Sequence, residues 1–255
     1  RQHRRRTDCE PKMIFDWSAL HTELAAWRAA DMRLPIWWRD DDAIQPTPAL
    51  DRLSAIAWQS GVPVHLAVIP KFADHPLATR LENASEIIPV VHGWAHQNHA
   101  PTGSKKAEFG AAYADATEDA IAGLAKLRDL FGDRLVPMFV PPWNRIDPGI
   151  FPDLVKAGYT MLSTFTPRSI AQPVSGLTQI NTHIDPIDWH GTRGLVEPTE
   201  LISGIVRLLQ DRRTDKSDNT EPLGLLTHHL VHTPDVWDFT EQLLKVLRTG
   251  PTDVF

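Results

Sequence analysis

Several things are scarce in this 255-residue sequence, and each shortage narrows the field. A single cysteine, Cys9, rules out an intrachain disulfide and fits a reducing compartment, so a cytoplasmic location is expected. No apolar run approaches the roughly 20 residues that span a bilayer, and no membrane partner is expected. Positive charge is not in excess either: 26 Lys and Arg face 32 Asp and Glu, a formal charge of -6, which leaves no basic face for a phosphate backbone and argues against nucleic acid. Gly-rich phosphate loops and a Gly-x-Ser-x-Gly elbow are missing, so nucleotide binding and serine hydrolysis find no support.

Histidine, by contrast, is plentiful. Its 12 copies fall partly in tight clusters beside short apolar runs, and imidazole is the commonest protein ligand for transition metals. Residues 1–12, RQHRRRTDCEPK, form a basic, coreless leader or extension without the apolar middle of a secretory signal, and they are expected to stay disordered. Met13 then opens MIFDWSALHTELAAW, whose apolar spacing is that of an amphipathic helix.

From there to residue 255 the chain reads as one α/β domain. Seven apolar runs predict strands, at 34–38, 62–69, 87–91, 135–140, 159–165, 177–184 and 223–228. Between them, helical spacing predicts helices at 48–60, 105–131, 147–157, 197–213 and 235–248, the first and third introduced by Pro or Asp-Pro. Alternation of this kind implies a parallel sheet covered by helices.

The chemically interesting residues follow the ends of those runs: RDDD after LPIWW, HGWAH after IIPVV, PPWNR after LVPMFV, DPIDW after the sixth run and HH after the last. In parallel α/β barrels the site is built at the carboxyl ends of the strands, where side chains distant in sequence converge. His92 and His96 are spaced to reach one ion if the chain turns helical there. Asp40, Asp41 and Asp42 would repel one another unless a cation or base lies near. One Asp and two His make a facial set that leaves positions open for water and substrate.

Together these residues resemble the polysaccharide deacetylases of the NodB-homology type, carbohydrate esterase family four, and the resemblance implies an incomplete (β/α)7-type barrel. The family's TFDDG motif is followed by a Thr-Pro that starts a helix. Aligned on Thr47-Pro48, the resemblance implies Asp40 as catalytic base and Asp41 as metal ligand, whereas a one-residue slip moves the two roles to Asp41 and Asp42. HxxxH resembles His92 and His96, implied as the other ligands of a divalent ion, with zinc the first candidate. DxxDW is matched by Asp185 to Trp189, and LxH by Leu226 to His228, which implies His228 as the acid, hydrogen-bonded to Asp185. The third motif, RPPxG, appears as Val140-Pro141-Pro142-Trp143-Asn144, so the arginine that orients the base is replaced by valine, with Arg39 or Arg145 as candidate substitutes. A backbone N–H within Pro142, Trp143 and Asn144 is expected to bind the developing oxyanion, and Trp143 and Trp189 to stack on a sugar ring. The implied activity is metal-dependent removal of an N-acyl group from an amino sugar or polysaccharide. The alternatives are a catalytically impaired metal- or glycan-binding barrel and a hydrolase of another small amide. Glu108 and Lys105 read as the solvated face of the helix after HGWAH.

Overall fold

The computed structural model describes residues 12–111 and 113–255, so all but the last residue of the expected disordered leader lies outside the described residues. Eight strands run in chain order: β1 (Leu34–Ala43), β2 (Val64–Val68), β3 (Ile87–His92), β4 (Met138–Val140), β5 (Met161–Leu162), β6 (Thr178–Gln179), β7 (Leu223–Thr227) and β8 (Thr252–Val254). Seven α-helices accompany them among the described residues: α1 (Ser18–Ala29), α2 (Pro48–Ser60), α3 (His75–Leu81), α4 (Ala116–Phe131), α5 (Phe151–Ala157), α6 (Pro198–Arg213) and α7 (Pro234–Thr249). None of these helices is long and apolar enough to cross a membrane.

All the strand pairings are parallel, in the order β6-β5-β4-β3-β2-β1-β7, with β8 paired to the start of β1. The sheet curls until its edges approach. Beyond β6 the chain bridges Ile184 to Leu225 of β7, and Leu226 donates its N–H to the Ile184 carbonyl at 2.7 Å. The architecture is the expected incomplete (β/α)7-type barrel, with the short β8 as an addition that the sequence reading did not find.

Local chemistry explains why elements begin where they do. Thr47 caps α2 by accepting the Leu50 N–H on its hydroxyl at 3.0 Å, Pro48 fills the first helical position, and Gly61 ends the helix at φ 65°. Pro198 opens α6 in the same way, after Glu197 has accepted the Glu200 N–H at 2.8 Å.

Alternation along the strands sorts their side chains into two layers. Ile36 and Trp38 join the large cluster between sheet and helices, whereas Trp37 packs inside the curl with Ala67, Val90, Met138, Val140 and Ile180. This inner plug fills the lower barrel. Trp37 crosses β7 to donate its indole N–H to the Asn181 carbonyl at 3.0 Å, and Gly224 is a glycine because any Cβ there would collide with that indole.

Two expectations need correction here. The first strand does not stop at Trp38 but continues to Ala43, because β2 and β7 supply pairing partners through Asp40 and beyond. The helix expected from 105 begins only at Ala116, and Glu108, expected on a solvated helix face, is fully buried in a bend ahead of it. A short helix at His75–Leu81 was not expected at all.

Candidate metal centre

Because β1 runs through all three aspartates, their side chains alternate, and the three acids meet different surroundings. Asp40 follows Ile36 and Trp38 onto the helix side. There it is fully buried, accepting the Thr227 hydroxyl at 2.6 Å, the His229 N–H at 3.0 Å and the His229 Nδ1–H. Burial opposes its charge, but the adjacent His229 outweighs burial and holds the carboxyl below its usual range. For His229, burial likewise opposes charge, and Asp40 overrides it to raise the imidazole's pKa. This closed pair stands behind the sheet, away from the mouth, so Asp40 does not occupy the position expected of a base.

Asp41 follows Trp37 and Arg39 into the barrel. Arg39 is 0% exposed and grips Asp41 with both ends of its fork, Nε to Oδ1 at 2.9 Å and Nη2 to Oδ2 at 3.0 Å. Its remaining donors reach Ser163 Oγ at 2.6 Å, the Thr164 carbonyl at 3.2 Å and Asn144 Oδ1 at 2.6 Å. Every N–H of the guanidinium therefore has an acceptor. Two positions apart on a strand means the same face, which is why this bidentate pair forms within one strand. Arg145 instead reaches the Lys106 carbonyl at 2.8 Å.

Asp42 sits where the β1–β2 register shifts, with φ 74°, and this left-handed residue turns the third carboxylate toward the mouth. His92 ends β3, two residues beyond the inward Val90, and His96 follows on a loop rather than a helix, with Gly93 at φ 53° and His96 at φ 54°. Ligand atoms of Asp42, His92 and His96 all lie within 4.8 Å of one another. The three-residue cluster thus forms with Asp42, not with Asp41, whose carboxylate is committed to Arg39.

The donor chemistry of this cluster suits a cation. The Val140 carbonyl takes the Nδ1–H of His92 at 2.9 Å, so a neutral His92 presents its Nε2 lone pair to Asp42 Oδ1 at 3.0 Å. His96 Nε2 approaches the same oxygen at 3.2 Å. With both rings neutral and their Nε2 lone pairs turned inward, three acceptors meet at one point, an arrangement that a cation completes; without one, a proton on His92 serves Asp42. Burial disfavours charge on His92, but Asp41 and Asp42 reverse that and raise its pKa. Burial and the neighbouring His92 lower that of His96. Asp42 remains a carboxylate, since the hydrogen bond and charge of His92 outweigh burial and hold its pKa below the usual range.

The other expected residues surround this cluster. Trp143 packs on His96 with ring centroids 4.3 Å apart, and Trp189 packs edge-on to His228 at 4.7 Å. Trp143 and Asn144 are both left-handed at φ 56°; Pro142 is buried, and Asn144 serves Arg39. The hydrogen bond expected between Asp185 and His228 is not formed. Asp185 accepts the Ile187 N–H at 3.0 Å and the Trp189 indole N–H at 2.7 Å, while Nδ1 of His228 is buried without a partner. Burial raises the pKa of Asp185 even though the nearby His228 pulls it down. Four of the eight left-handed non-glycine residues among the described residues, Asp42, His96, Trp143 and Asn144, belong to this one mouth. Each such conformation costs about 1–3 kcal/mol, and strain of that kind collects at functional sites.

The resemblance to solved structures is extensive in fold and slight in sequence. A protein from Mycobacterium smegmatis assigned as a polysaccharide deacetylase superposes with a TM-score of 0.63 at 16% identity, covering 87% of this chain and 86% of its own. The Bc1960 peptidoglycan N-acetylglucosamine deacetylase gives 0.54 at 16% identity, covering 88% and 86%. A family 4 carbohydrate esterase from Streptomyces lividans gives 0.52 at 13% identity, covering 86% and 90%. No family model and no curated protein matches the sequence. The chain therefore shares the fold of the polysaccharide deacetylases and family 4 carbohydrate esterases.

Proposed function

We propose that the protein is a metal-dependent hydrolase that removes an N-acyl group, acetyl in the first instance, from an amino sugar or its polymer. The observation that carries this reading is the pairing of the Asp42, His92 and His96 cluster with a separate carboxylate, Asp41, clamped beside it by Arg39. In this reading Asp42, His92 and His96 hold a divalent ion, zinc before other candidates because two imidazoles and one carboxylate suit it. A bound ion supplies Lewis acidity, polarising the acyl carbonyl and a water molecule.

Asp41 takes the proton from that water as its oxygen bonds to the acyl carbon. Arg39 fixes the orientation of Asp41 and takes over the work of the missing third-motif arginine, from the first strand instead of the fourth. His228 gives a proton to the departing nitrogen as the C–N bond breaks, releasing a carboxylic acid and a free amine. Asp185 lies near His228 without a hydrogen bond to it, its oxygens held by the Ile187 N–H and the Trp189 indole. Within the Pro142, Trp143 and Asn144 turn the Trp143 N–H serves the developing oxyanion, since Pro142 has no N–H and that of Asn144 goes to the Pro141 carbonyl, while Trp143 and Trp189 flank the sugar. The fold neighbours that act on peptidoglycan N-acetylglucosamine and on other carbohydrates support this substrate class.

The test is acetate release from N-acetylated chito-oligosaccharides by zinc- or cobalt-loaded protein. Activity is expected to vanish on chelation and return with the ion. Protein that binds the ion and releases no acetate from these or from small N-acetyl sugars would sink the proposal.

A further inference from the structure

Glu108 is 0% exposed, yet its hydrogen-bond partners are all backbone amides. Oε1 accepts the N–H of Ala95 at 2.7 Å and of Gln97 at 3.3 Å, and Oε2 accepts the N–H of Trp94 at 3.2 Å. All three amides belong to the turn between and just beyond His92 and His96. That turn is wrapped around the carboxylate so closely that a Cβ at Gly93 would collide with Oε2 and with the Pro142 ring. Gly93 and His96 are both left-handed, so the turn does not hold its shape through ordinary helical hydrogen bonding.

The segment that carries Glu108 is itself pinned on two sides. The His99 N–H reaches the Ala107 carbonyl at 2.9 Å and Asn98 Oδ1 accepts the Ala107 N–H at 3.0 Å. On the other side Phe109 bridges Ile146, and its carbonyl accepts the Asp147 N–H at 2.8 Å. The carboxylate thus stands as a fixed post between the HGWAH loop and the chain leaving PPWN. Charged acceptors make the stronger backbone hydrogen bonds, and several of them converging on one carboxylate fix a loop in one conformation.

We propose that Glu108 is a positioning residue that holds residues 93–97 in ligand geometry before any ion arrives, an inference that rests on the reading of Asp42, His92 and His96 as metal ligands. Partners that orient metal ligands from behind change affinity about 10- to 100-fold when replaced. Gln puts an amide NH2 where an N–H now finds an acceptor, and Asp keeps the charge but withdraws it by one methylene.

Calorimetric titration with Zn2+ and the visible spectrum of the Co2+ form test this. Glu108→Gln is expected to weaken Zn2+ binding about 10- to 100-fold and to shift the Co2+ bands, with Glu108→Asp recovering part of the loss. Wild-type affinity and bands in folded Glu108→Gln protein overturn the proposal. Should the variants fail to fold, amide exchange in metal-free wild-type protein decides. The N–H groups of Trp94, Ala95 and Gln97 are expected to exchange about 100-fold more slowly than that of exposed Gly103, and equal rates overturn the proposal. If wild-type protein binds neither ion, the ligand reading fails separately, and the exchange rates still decide the role of Glu108.

Discussion

Two buried arginines organise the charge inside this barrel, and their surroundings differ in one respect. Arg212, in the last turn of α6, donates to the Glu221 carbonyl at 2.7 Å and lies against His183 and the Glu221 carboxylate. Glu221 also accepts the N–H of Asn181 at 2.9 Å and of Arg168 at 3.1 Å, and His183 takes the Gly224 N–H on Nδ1 at 3.0 Å. That network closes on itself and has no left-handed residue among these members. Around Arg39 the same residue types leave something over: Asp42, His92 and His96 turn their acceptors toward one another on strained backbone. Satisfied charge is architecture, and unsatisfied charge marks the place where something else is meant to bind.

The sharpest way to break this contrast is to alter the mouth. Asp42→Ala is expected to lose the ion and at least about 1,000-fold in kcat/KM, whereas Asp41→Asn keeps the ion and loses about 100- to 10,000-fold. Metal titration beside acetate release separates the two, and equal metal loss in both variants would merge roles that the structure keeps apart. The reciprocal change is Arg212→Ala, which removes the donor to the Glu221 carbonyl and to His183 and the buried positive charge beside the Glu221 carboxylate. It should cost about 3–5 kcal/mol in urea unfolding of the metal-free protein, with Zn2+ affinity unchanged.

A histidine that belongs to neither cluster gives the smallest effect and a pH signature. Burial depresses His65 to about 4, in a site where its ring stacks on Phe255 and meets Trp37 edge-on. Its folded pKa lies below the unfolded value, so the unfolded chain takes up the proton first as pH falls. The contribution of neutral His65 is whole above pH 6.5 and declines toward pH 4, by about 3 kcal/mol in all. His65→Gln should flatten unfolding free energy over that window, and an unaltered slope would show that other groups govern it.

Punctuation made much of the fold readable. Thr47-Pro48 and Pro198 mark the starts of α2 and α6, because capping and proline chemistry act within a few residues. Sequence alone ends the strand bearing the aspartates early, since Asp is a poor strand former and only pairing with β2 and β7 carries it onward. Once the strand continues, alternation sends Asp40 behind the sheet and Asp41 inward, and the register shift with left-handed backbone at Asp42, invisible in the sequence, turns that third carboxylate to His92 and His96. The i, i+2 spacing of Arg39 and Asp41 was the available signal for their pairing. Glu108 had none: KKAEF looks like a helix face, and what buries the acid is a turn of backbone amides, which carry no trace in side-chain identity.

The plug of Trp37, Ala67, Val90, Met138, Val140 and Ile180 fixes the traffic pattern of the molecule. With apolar side chains packed across the floor of the barrel, the described residues leave the mouth as the way to Asp42, His92 and His96. A long chain cannot thread through the protein and must lie across the opening or present an end to it.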